Sequence, residues 1–355
     1  MTLLQLDVEQ FRCIERAHLD LHPEVNLIVG KNASGKTSLL EAIFLLGTGH
    51  SFRTHQTEML IRTDTECFLV VGKIQRRQGA EALGIRGSRD GKEIRLNGAP
   101  AASLAELALR LPVQVIDPEV HRLLEDGPIR RRRFMDWGVF HVEPRFHDTW
   151  RRYQRALRQR NAALKSKQPA SVLQVWDQEL VEQGTKVAEF RDAYVSELKP
   201  YVLKLGQELL SLDIEIEHQR GWRRQSELSV VLAEGLHRDQ QRGSTAAGPH
   251  RADVLLKIGS AQAKDRVSRG QQKMLACALL LAQQAHRVAT GAPPACLLLD
   301  DPAAELDVDN LGKLLKVVAE IPTQLVVTAL TKDVLGSFPK ARLFHVEHGL
   351  VHAVA

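Results

Sequence analysis

The sequence is poor in cysteine and has no long apolar run. Its four cysteines are widely scattered and form no CxxC pair: Cys13, Cys67, Cys277 and Cys296. Cys277 and Cys296 lie inside apolar stretches, which predicts buried free thiols rather than metal or redox ligands. No stretch approaches the ~18 apolar residues that would cross a bilayer, and the chain opens with an alternating pattern instead of a signal segment. We therefore expect a cytoplasmic protein with no membrane role.

Aromatic residues are also scarce, and the charge is unevenly distributed. Phe, Trp and Tyr make up 5% of the 355 residues, so no base-stacking platform for single-stranded nucleic acid stands out. Between Arg130 and Lys167, twelve Arg or Lys residues stand against three acids, a local charge of +9 in a chain whose net charge is +5. A basic segment on a mildly acidic body predicts contact with a polyanion.

A glycine-rich loop near the N-terminus follows the spacing GxxxxGK[ST]. Val25 to Val29 predicts a strand before it, and Ser34 to Leu46 predicts a helix after it. In such loops, backbone N–H groups and the helix N-terminus cradle phosphates, a lysine reaches the β- and γ-phosphates, and a hydroxyl binds Mg²⁺. The predicted ATP-binding residues are Gly30, Lys31, Asn32, Ala33, Ser34, Gly35, Lys36 and Thr37. Ala33 would be strained if its position needs a positive φ.

A second motif, Ser268-Arg269-Gly270-Gln271, opens a predicted long helix that stops before Gly291. Two interpretations compete here. Ser268 can cap its own helix. Alternatively, as the motif's resemblance to the signature of ABC-type ATPases implies, the Gly270 backbone and the free helix end can face the γ-phosphate of a nucleotide bound to a second subunit. The thirty residues between Gly270 and Asp300 leave room for a helix, a turn and one buried strand, which favours the second interpretation.

A third motif follows the apolar strand 297–299. Asp300 emerges at the carboxyl end of this strand, where α/β sheets bind ligands, and we expect it to hold Mg²⁺ through a water. Asp301 is the candidate that polarises the attacking water, although two adjacent acids can also be a solvated strand end. Lys36, Asp300 and Asp301 are therefore the predicted catalytic residues.

Four further residues are candidates by position. Glu305 and Asp307 follow the third motif and form a segment that could touch the opposite subunit. Thr328 ends a predicted strand where many ABC-type ATPases place a γ-phosphate-sensing histidine. Gln114 is a candidate for the glutamine that senses magnesium.

The residue patterns along the chain predict its secondary structure and its domain organisation. Phe68 to Ile74 and Glu93 to Ala99, with the turn Asn97-Gly98, predict an antiparallel sheet with hairpins. From about Leu123 to Leu210 glycine is rare and helical stretches dominate, while the polar residues 236–248 predict a loop. We expect an α/β ABC-type P-loop ATPase head of mixed sheets, split around a basic helical lobe. The predicted segments are 1–122, 123–210 and 211–355.

These motifs resemble those of the bacterial RecF family over essentially the whole chain. The segments that carry the resemblance are 32–43 (NASGKTSLLEAI), 132–137 (RRFMDW), 159–164 (QRNAAL), 248–251 (GPHR), 268–271 (SRGQ), 299–301 (LDD) and 305–307 (ELD). The resemblance implies an ATP- and Mg²⁺-dependent DNA-binding protein of recombinational repair with an SMC-like head and a weak, DNA-stimulated ATPase. It also implies an ATP-dependent homodimer that acts with RecO and RecR to direct RecA onto gaps. Ala33 departs from the family's usual glycine.

One helical face within the basic segment is the candidate DNA contact. Arg151, Arg155 and Arg158 recur at helical spacing, with Arg152 beside them. A solvated charged face, or pairing with acids elsewhere, would also explain such a run. The scarcity of nearby acids and the resemblance favour phosphate contacts, with duplex or junction DNA preferred.

Three other functions remain open on the motifs. A transporter's ATPase subunit would share all three, but it would not explain the basic lobe or the segments similar to RecF. An architectural ATPase that tethers chromosomes would need a long coiled-coil arm, which these helices are too short to form. A small-molecule P-loop kinase would leave Ser268-Arg269-Gly270 without a role.

Overall fold

The computed structural model describes residues 1–332, 338 and 340–354. Its strands are β1 (Thr2–Phe11), β2 (Ile14–Asp20), β3 (Val25–Val29), β4 (Cys67–Arg76), β5 (Gly79–Ser88), β6 (Gly91–Leu96), β7 (Ala99–Pro100), β8 (Val113–Ile116), β9 (Glu215–Gln219), β10 (Asp253–Ile258), β11 (Ala261–Gln262), β12 (Cys296–Leu299), β13 (Leu325–Ala329), β14 (Arg342–Glu347) and β15 (Leu350–Val354). Its α-helices are α1 (Lys36–Thr48), α2 (Leu104–Arg110), α3 (Arg122–Glu125), α4 (Pro128–Val142), α5 (Phe146–Lys165), α6 (Ala170–Leu210), α7 (Leu228–Arg242), α8 (Arg269–Ala289), α9 (Pro302–Glu305) and α10 (Val308–Glu320).

The chain divides into two compact units. Met1–Val120 and Gly291–Ala355 form the first, and His121–Thr290 forms the second. The second unit therefore contains the predicted helical lobe and also residues 211–290, which the sequence assigns to the C-terminal segment. Packing explains the difference, because β9 and α8 both contact α6, and β10 contacts α4.

Two six-stranded sheets build the first unit. One is antiparallel, in the order β2-β1-β4-β5-β6-β7, and the predicted turn at Asn97-Gly98 joins its last two strands with φ values of 48° and 82°. The other has the order β15-β14-β3-β13-β12-β8, with parallel pairing from β14 to β8. Because β3, β13 and β12 are parallel neighbours, their carboxyl ends lie side by side.

Helix α1 lies between these two sheets. It contacts β1 and β4 on one side and β8 and β13 on the other, and Leu39, Leu40, Ile43 and Leu46 are fully buried. A helix that is apolar almost all round is typical of such an interior position. The loop before α1 is therefore held by a rigid strand on one side and by a fully packed helix on the other.

The second unit is organised around α6. This helix has 41 residues, a length of about 60 Å. Buried residues continue at helical spacing through Leu198, Val202, Leu205 and Leu209, while Pro200 occupies an exposed position. Neither α6 nor any other helix in the described part of the chain is long and apolar enough to cross a bilayer.

The prediction of a loop over 236–248 was wrong for the first half of this segment, because residues 236–242 belong to α7. Its buried residues, Leu228, Leu232, Gly235 and Asp239, follow a helical period that begins before the predicted loop. Gly243, with φ 65°, ends the helix. The polar composition of the segment suggested a loop because only one narrow face of α7 is buried and the rest of the helix carries polar side chains.

Candidate functional site

The phosphate loop occupies residues 30–35, between β3 and α1, as the sequence predicts. Two glycines in it are sterically required. A Cβ on Gly30 would lie 2.3 Å from the carbonyl oxygen of Val346, and Gly35 has φ 116°. The loop is therefore pressed against β14, and its backbone adopts conformations that other residues disfavour.

Ala33 has φ 61°, the left-handed conformation that costs a residue with a Cβ about 1–2 kcal/mol. The expected strain at this position is confirmed. Positive φ at a loop residue is also what turns successive backbone N–H groups toward one anion. The departure from the family's usual glycine is therefore tolerated at an energetic cost.

Replacing Ala33 by glycine should relieve this strain. After allowance for the greater chain entropy of glycine, we expect the free energy of unfolding to rise by about 1 kcal/mol, measured by urea unfolding. The matched control is Ala80→Gly, at an exposed position of strand β5 in the same unit, which should destabilise the protein by about 0.5–1 kcal/mol. Destabilisation by Ala33→Gly would contradict the strain argument.

Lys36 is buried across the mouth of the loop. Its Nζ donates hydrogen bonds to the carbonyl oxygens of Gly30 at 2.7 Å and Lys31 at 3.0 Å. Burial lowers the pKa of this ammonium group, while the negative charges of Asp301 and Asp300 raise it. Because these two carbonyls are only part of its donor capacity, the group can turn to phosphate oxygens without leaving the loop.

Asp300 and Thr37 come together at the carboxyl end of β12. The Thr37 hydroxyl lies 2.9 Å and 3.0 Å from the two carboxylate oxygens of Asp300. Burial raises the pKa of Asp300, and hydrogen bonds from Thr328 and Thr37 lower it. A hydroxyl beside a carboxylate is the hard oxygen donor set that Mg²⁺ prefers, so these two residues would suit a magnesium ion.

Thr328 lies behind Asp300 and is fully buried. Its hydroxyl donates to Asp300 Oδ1 at 2.8 Å and accepts the backbone N–H of Asp301 at 2.8 Å. In this arrangement Thr328 holds both acids in place from the neighbouring strand. That contact is a positioning role, distinct from the sensing role that its sequence position suggests.

Asp301 has a strained backbone, with φ 45° and ψ 55°. Its Oδ1 is buried and has no hydrogen-bond partner among the described residues. Buried carboxylate oxygens normally have partners, and strained residues of this kind gather at functional sites. Asp301 also lines the same cavity of about 580 Å³ as residues 32–38.

An ion-pair cluster that was not predicted from the sequence lies beside this cavity. Arg12 Nε and Nη2 donate to the two carboxylate oxygens of Glu41 at 2.9 Å and 2.7 Å, and Ser51 also donates to Glu41. Arg53 Nη1 lies 3.7 Å from the same carboxylate. Arg12 and Arg53 line the cavity, so they add positive charge to it. The signal available in the sequence was a single glutamate, Glu41, in the otherwise apolar run 39–46.

The family comparisons agree with this geometry. The model described as the RecF/RecN/SMC N terminal domain matches residues 2–350. A DNA replication and repair protein RecF from Thioalkalivibrio sulfidiphilus is 42% identical over 98% of this chain and 98% of its own. Another with the same name, from Pseudomonas fluorescens, is 42% identical over 99% of this chain and 98% of its own. The chain belongs to the RecF family.

Solved structures support the same assignment and the predicted fold. A structure described as the recombination mediator protein RecF-ATP in the RecFOR pathway has a TM-score of 0.89 and 27% identity, over 100% of this chain and 98% of that one. The SmcHead bound to the C-winged helix domain of ScpA has a TM-score of 0.62 and 14% identity, over 100% and 97%. The second likeness concerns the fold alone, and it confirms the expected SMC-head-like architecture.

In this RecF-family chain, the signature residues lie at the start of α8 in the second unit. Ser268, Arg269, Gly270 and Gln271 are all exposed. Ser268 caps its own helix in a capping box: its backbone N–H donates to Gln271 Oε1 at 2.9 Å, and its hydroxyl accepts the Gln271 N–H at 3.4 Å. The capped-helix interpretation therefore describes the single chain, and the helix end stays accessible to a partner.

Glu305 and Asp307 lie on either side of a short turn. Glu305 ends α9, and Asp307 caps α10 by accepting the Asn310 N–H at 2.8 Å. This backbone hydrogen bond lowers the pKa of Asp307.

Gln114, the candidate magnesium sensor, lies on β8 beside β12 and is 5% exposed.

The arginines of α5 divide between two faces. Arg151, Arg152, Arg155 and Arg158 are exposed, and Arg152 pairs with Asp148 at 3.2 Å. The other three have no ion-pair partner among residues 1–332, 338 and 340–354. Their guanidinium groups are therefore available to phosphates.

Arg160, on the opposite face of α5, is fully buried. Its Nε lies 2.6 Å from Asp177, and its Nη1 donates to Asp239 at 2.7 Å and to Thr245 at 2.8 Å. The neighbouring Asn161 accepts the Thr245 backbone N–H at 2.8 Å. This segment, which resembles RecF in sequence, thus builds the interior of the second unit.

The family segment Gly248-Pro249-His250-Arg251 also serves the interior. A Cβ on Gly248 would lie 2.6 Å from the Tyr153 hydroxyl. Tyr153 bonds His250 Nδ1 at 2.6 Å, and burial lowers the pKa of His250 to about 4. His250 is therefore neutral near pH 7, so its Nδ1 accepts a hydrogen bond from the Tyr153 hydroxyl and its Nε2–H donates to the carbonyl of Thr245.

Arg130 to Arg133 are mostly occupied within the second unit. Arg130 pairs with Asp126, Arg131 pairs with Asp253 at 2.7 Å, and Arg132 donates to the Ala252 carbonyl at 2.8 Å. Arg133 is exposed. These contacts leave the α5 face as the stronger candidate for binding DNA.

Proposed function

We propose that this chain is an ATP-dependent DNA-binding protein of DNA replication and recombinational repair. The observation that carries the proposal is the Thr37–Asp300 hydrogen bond, which joins the phosphate loop to the acid at the end of β12. The α5 arginines that have no ion-pair partner among the described residues support the DNA-binding part of the proposal, because they form a surface that suits a polyanion. The names of the RecF relatives support the same function.

ATP and Mg²⁺ are the proposed ligands of the loop. The backbone of residues 30–37 and Lys36 would hold the phosphates, and Thr37 and Asp300 would hold magnesium. The metal neutralises charge on the phosphate oxygens when it is bound. Asp301, which has an unpartnered carboxylate oxygen among the described residues and lines a cavity together with the loop, would orient the attacking water. Its short side chain suits slow turnover, as expected for a weak ATPase that acts as a switch.

A homodimer would complete two such sites. The exposed N-terminus of α8 offers Ser268 and the Gly270 N–H to the γ-phosphate bound by a second copy, where the helix dipole favours negative charge. Glu305 and Asp307 would lie at the same junction. Because each copy supplies both halves, ATP would close the dimer and hydrolysis would open it.

Asp301→Asn tests this cycle. The amide removes the charge that orients water, so we expect ATP turnover to fall by about 100-fold while nucleotide binding persists. Sedimentation velocity should then show a lasting ATP-dependent dimer. Asp90→Asn, at an exposed hairpin turn, is the matched control and should behave as wild type. A monomeric Asp301→Asn protein that binds ATP would contradict the dimer.

DNA would lie along the α5 face. We expect replacement of Arg151, Arg155 and Arg158 together by alanine to weaken binding to all sequences alike. The slope of log affinity against log salt should become shallower by about 0.9 for each lost phosphate contact. Fluorescence anisotropy of a gapped duplex over a salt series measures both quantities.

The control for that triple variant removes the same charge elsewhere. Arg77, Arg89 and Arg223 are exposed and lie off α5. Their triple alanine variant should keep most of the salt slope. Equal losses in the two triple variants would assign the effect to net charge and would refute a local site on α5.

Partners follow from the pathway in which the solved relatives are described. We infer that RecO and RecR act with this chain to direct RecA onto single-stranded gaps. The ATP-bound dimer would mark the junction between duplex and gap, and release after hydrolysis would limit how long it stays there.

A further inference from the structure

A cysteine lies against the phosphate loop. Cys13, in the tight turn between β1 and β2, is exposed, and its Sγ is 3.7 Å from the Ser38 hydroxyl at the start of α1. A Cβ on Gly35 would lie 3.2 Å from this sulfur. The thiol therefore touches the loop and lines the same cavity of about 580 Å³.

The cavity beside Cys13 shows independent signs of a ligand site. Ser34 is 7% exposed, lines the cavity, and its hydroxyl has no hydrogen-bond partner within the described ranges. Buried hydroxyls without partners are rare unless a ligand or water completes them. The cavity is lined by three cations, Lys36, Arg12 and Arg53, and by one acid, Asp301, so its lining is electropositive.

The other three cysteines have different surroundings. Cys277 and Cys296 are buried, and burial raises the pKa of the Cys296 thiol to about 12. Cys67 is half-buried on β4, where Arg86 Nη2 lies 3.6 Å from its sulfur. Reactive thiols are accessible and lie in electropositive surroundings, whereas buried thiols are inert. Cys13 is thus the cysteine that is both exposed and placed at the phosphate loop.

We propose that Cys13 is a covalent modification site whose adducts exclude nucleotide from the phosphate loop. The chemical class of reagent is an anionic low-molecular-weight disulfide. The Cys13 thiolate attacks one sulfur of the reagent, a new S–S bond forms, the old one breaks, and the leaving thiolate takes up the proton. A second thiol reverses the step by the same exchange. The inference rests on the proposed binding of ATP at this loop.

Glutathione disulfide is the probe for the first arm of the test. Wild type, Cys13→Ser and Cys67→Ser are each treated or left untreated, and adducts are located by peptide mass mapping. Binding of a fluorescent ATP analogue is then compared between treated and untreated protein of the same variant. We expect treatment to abolish binding in wild type and Cys67→Ser, to leave Cys13→Ser at its own untreated value, and dithiothreitol to restore the lost binding.

The second arm measures protection. ATP at ten times its dissociation constant should slow labelling of Cys13 by N-ethylmaleimide about tenfold by mass action, with no effect on Cys67. Unslowed labelling, or full nucleotide binding by protein carrying the Cys13 adduct, overturns the inference alone. Failure of untreated wild type to bind ATP would instead overturn the proposed function, and this inference with it.

Discussion

Lys36→Met is expected to uncouple DNA binding from ATP. Methionine keeps the length and apolar stem of lysine but cannot donate to phosphate oxygens. Loss of hydrogen bonds from a charged group at this site should weaken nucleotide binding by about 100-fold. The α5 arginines are untouched by the change, so we expect salt-sensitive binding that no longer responds to ATP.

The measurement is binding of a labelled gapped duplex, with and without ATP, across a salt series. Lys73→Met, on an exposed position of β4 in the same unit, is the matched control and should keep the ATP response. Circular dichroism checks that both variants fold. If wild type and Lys36→Met bind the duplex alike with and without ATP, ATP does not control DNA binding. The proposed nucleotide switch is then refuted, and the ATP site acts on a different partner.

Arg160→Met is expected to cause the largest loss of stability. The guanidinium is fully buried and pairs with Asp177 and with Asp239, which is itself 1% exposed. Removing one partner of a buried ion pair leaves an uncompensated charge and costs about 3–5 kcal/mol. Urea unfolding followed by tryptophan fluorescence measures the change in the free energy of unfolding.

The control lies on the same helix. Arg158 is exposed on the other face of α5, and Arg158→Met should change the free energy of unfolding by no more than about 0.5 kcal/mol. Similar stabilities for the two variants would show that water or rearrangement satisfies Asp239, which would refute a structural role for Arg160.

The local parts of the fold could be predicted from the sequence. The strand Val25–Val29 is confirmed residue for residue, and the helix after Ser268 begins where its serine cap predicts. In both cases the signal lies within a few neighbouring residues. Pro200 shows the limit of such rules, since a proline on the exposed face of a long packed helix does not end it.

The site was predictable where one segment carries it and unpredictable where distant segments meet. The phosphate loop has a fixed spacing, so residues 30–37 could be placed from sequence. Arg12 and Glu41 are 29 residues apart on different elements, and only the packing of α1 against the antiparallel sheet brings them together. The division at residues 120 and 290 likewise depends on tertiary packing of β9, β10 and α8.

The capping box at Ser268 leaves the hydroxyl hydrogen of this side chain unused. The hydroxyl oxygen accepts the Gln271 N–H, and the O–H group can still donate to an acceptor on a second copy. A copy without nucleotide brings no phosphate oxygen to this helix end. A γ-phosphate accepts charge-assisted hydrogen bonds, which are about twice as strong as neutral ones. The helix end would thus discriminate between nucleotide-bound and nucleotide-free copies, and the pool of copies would stay apart until ATP is present.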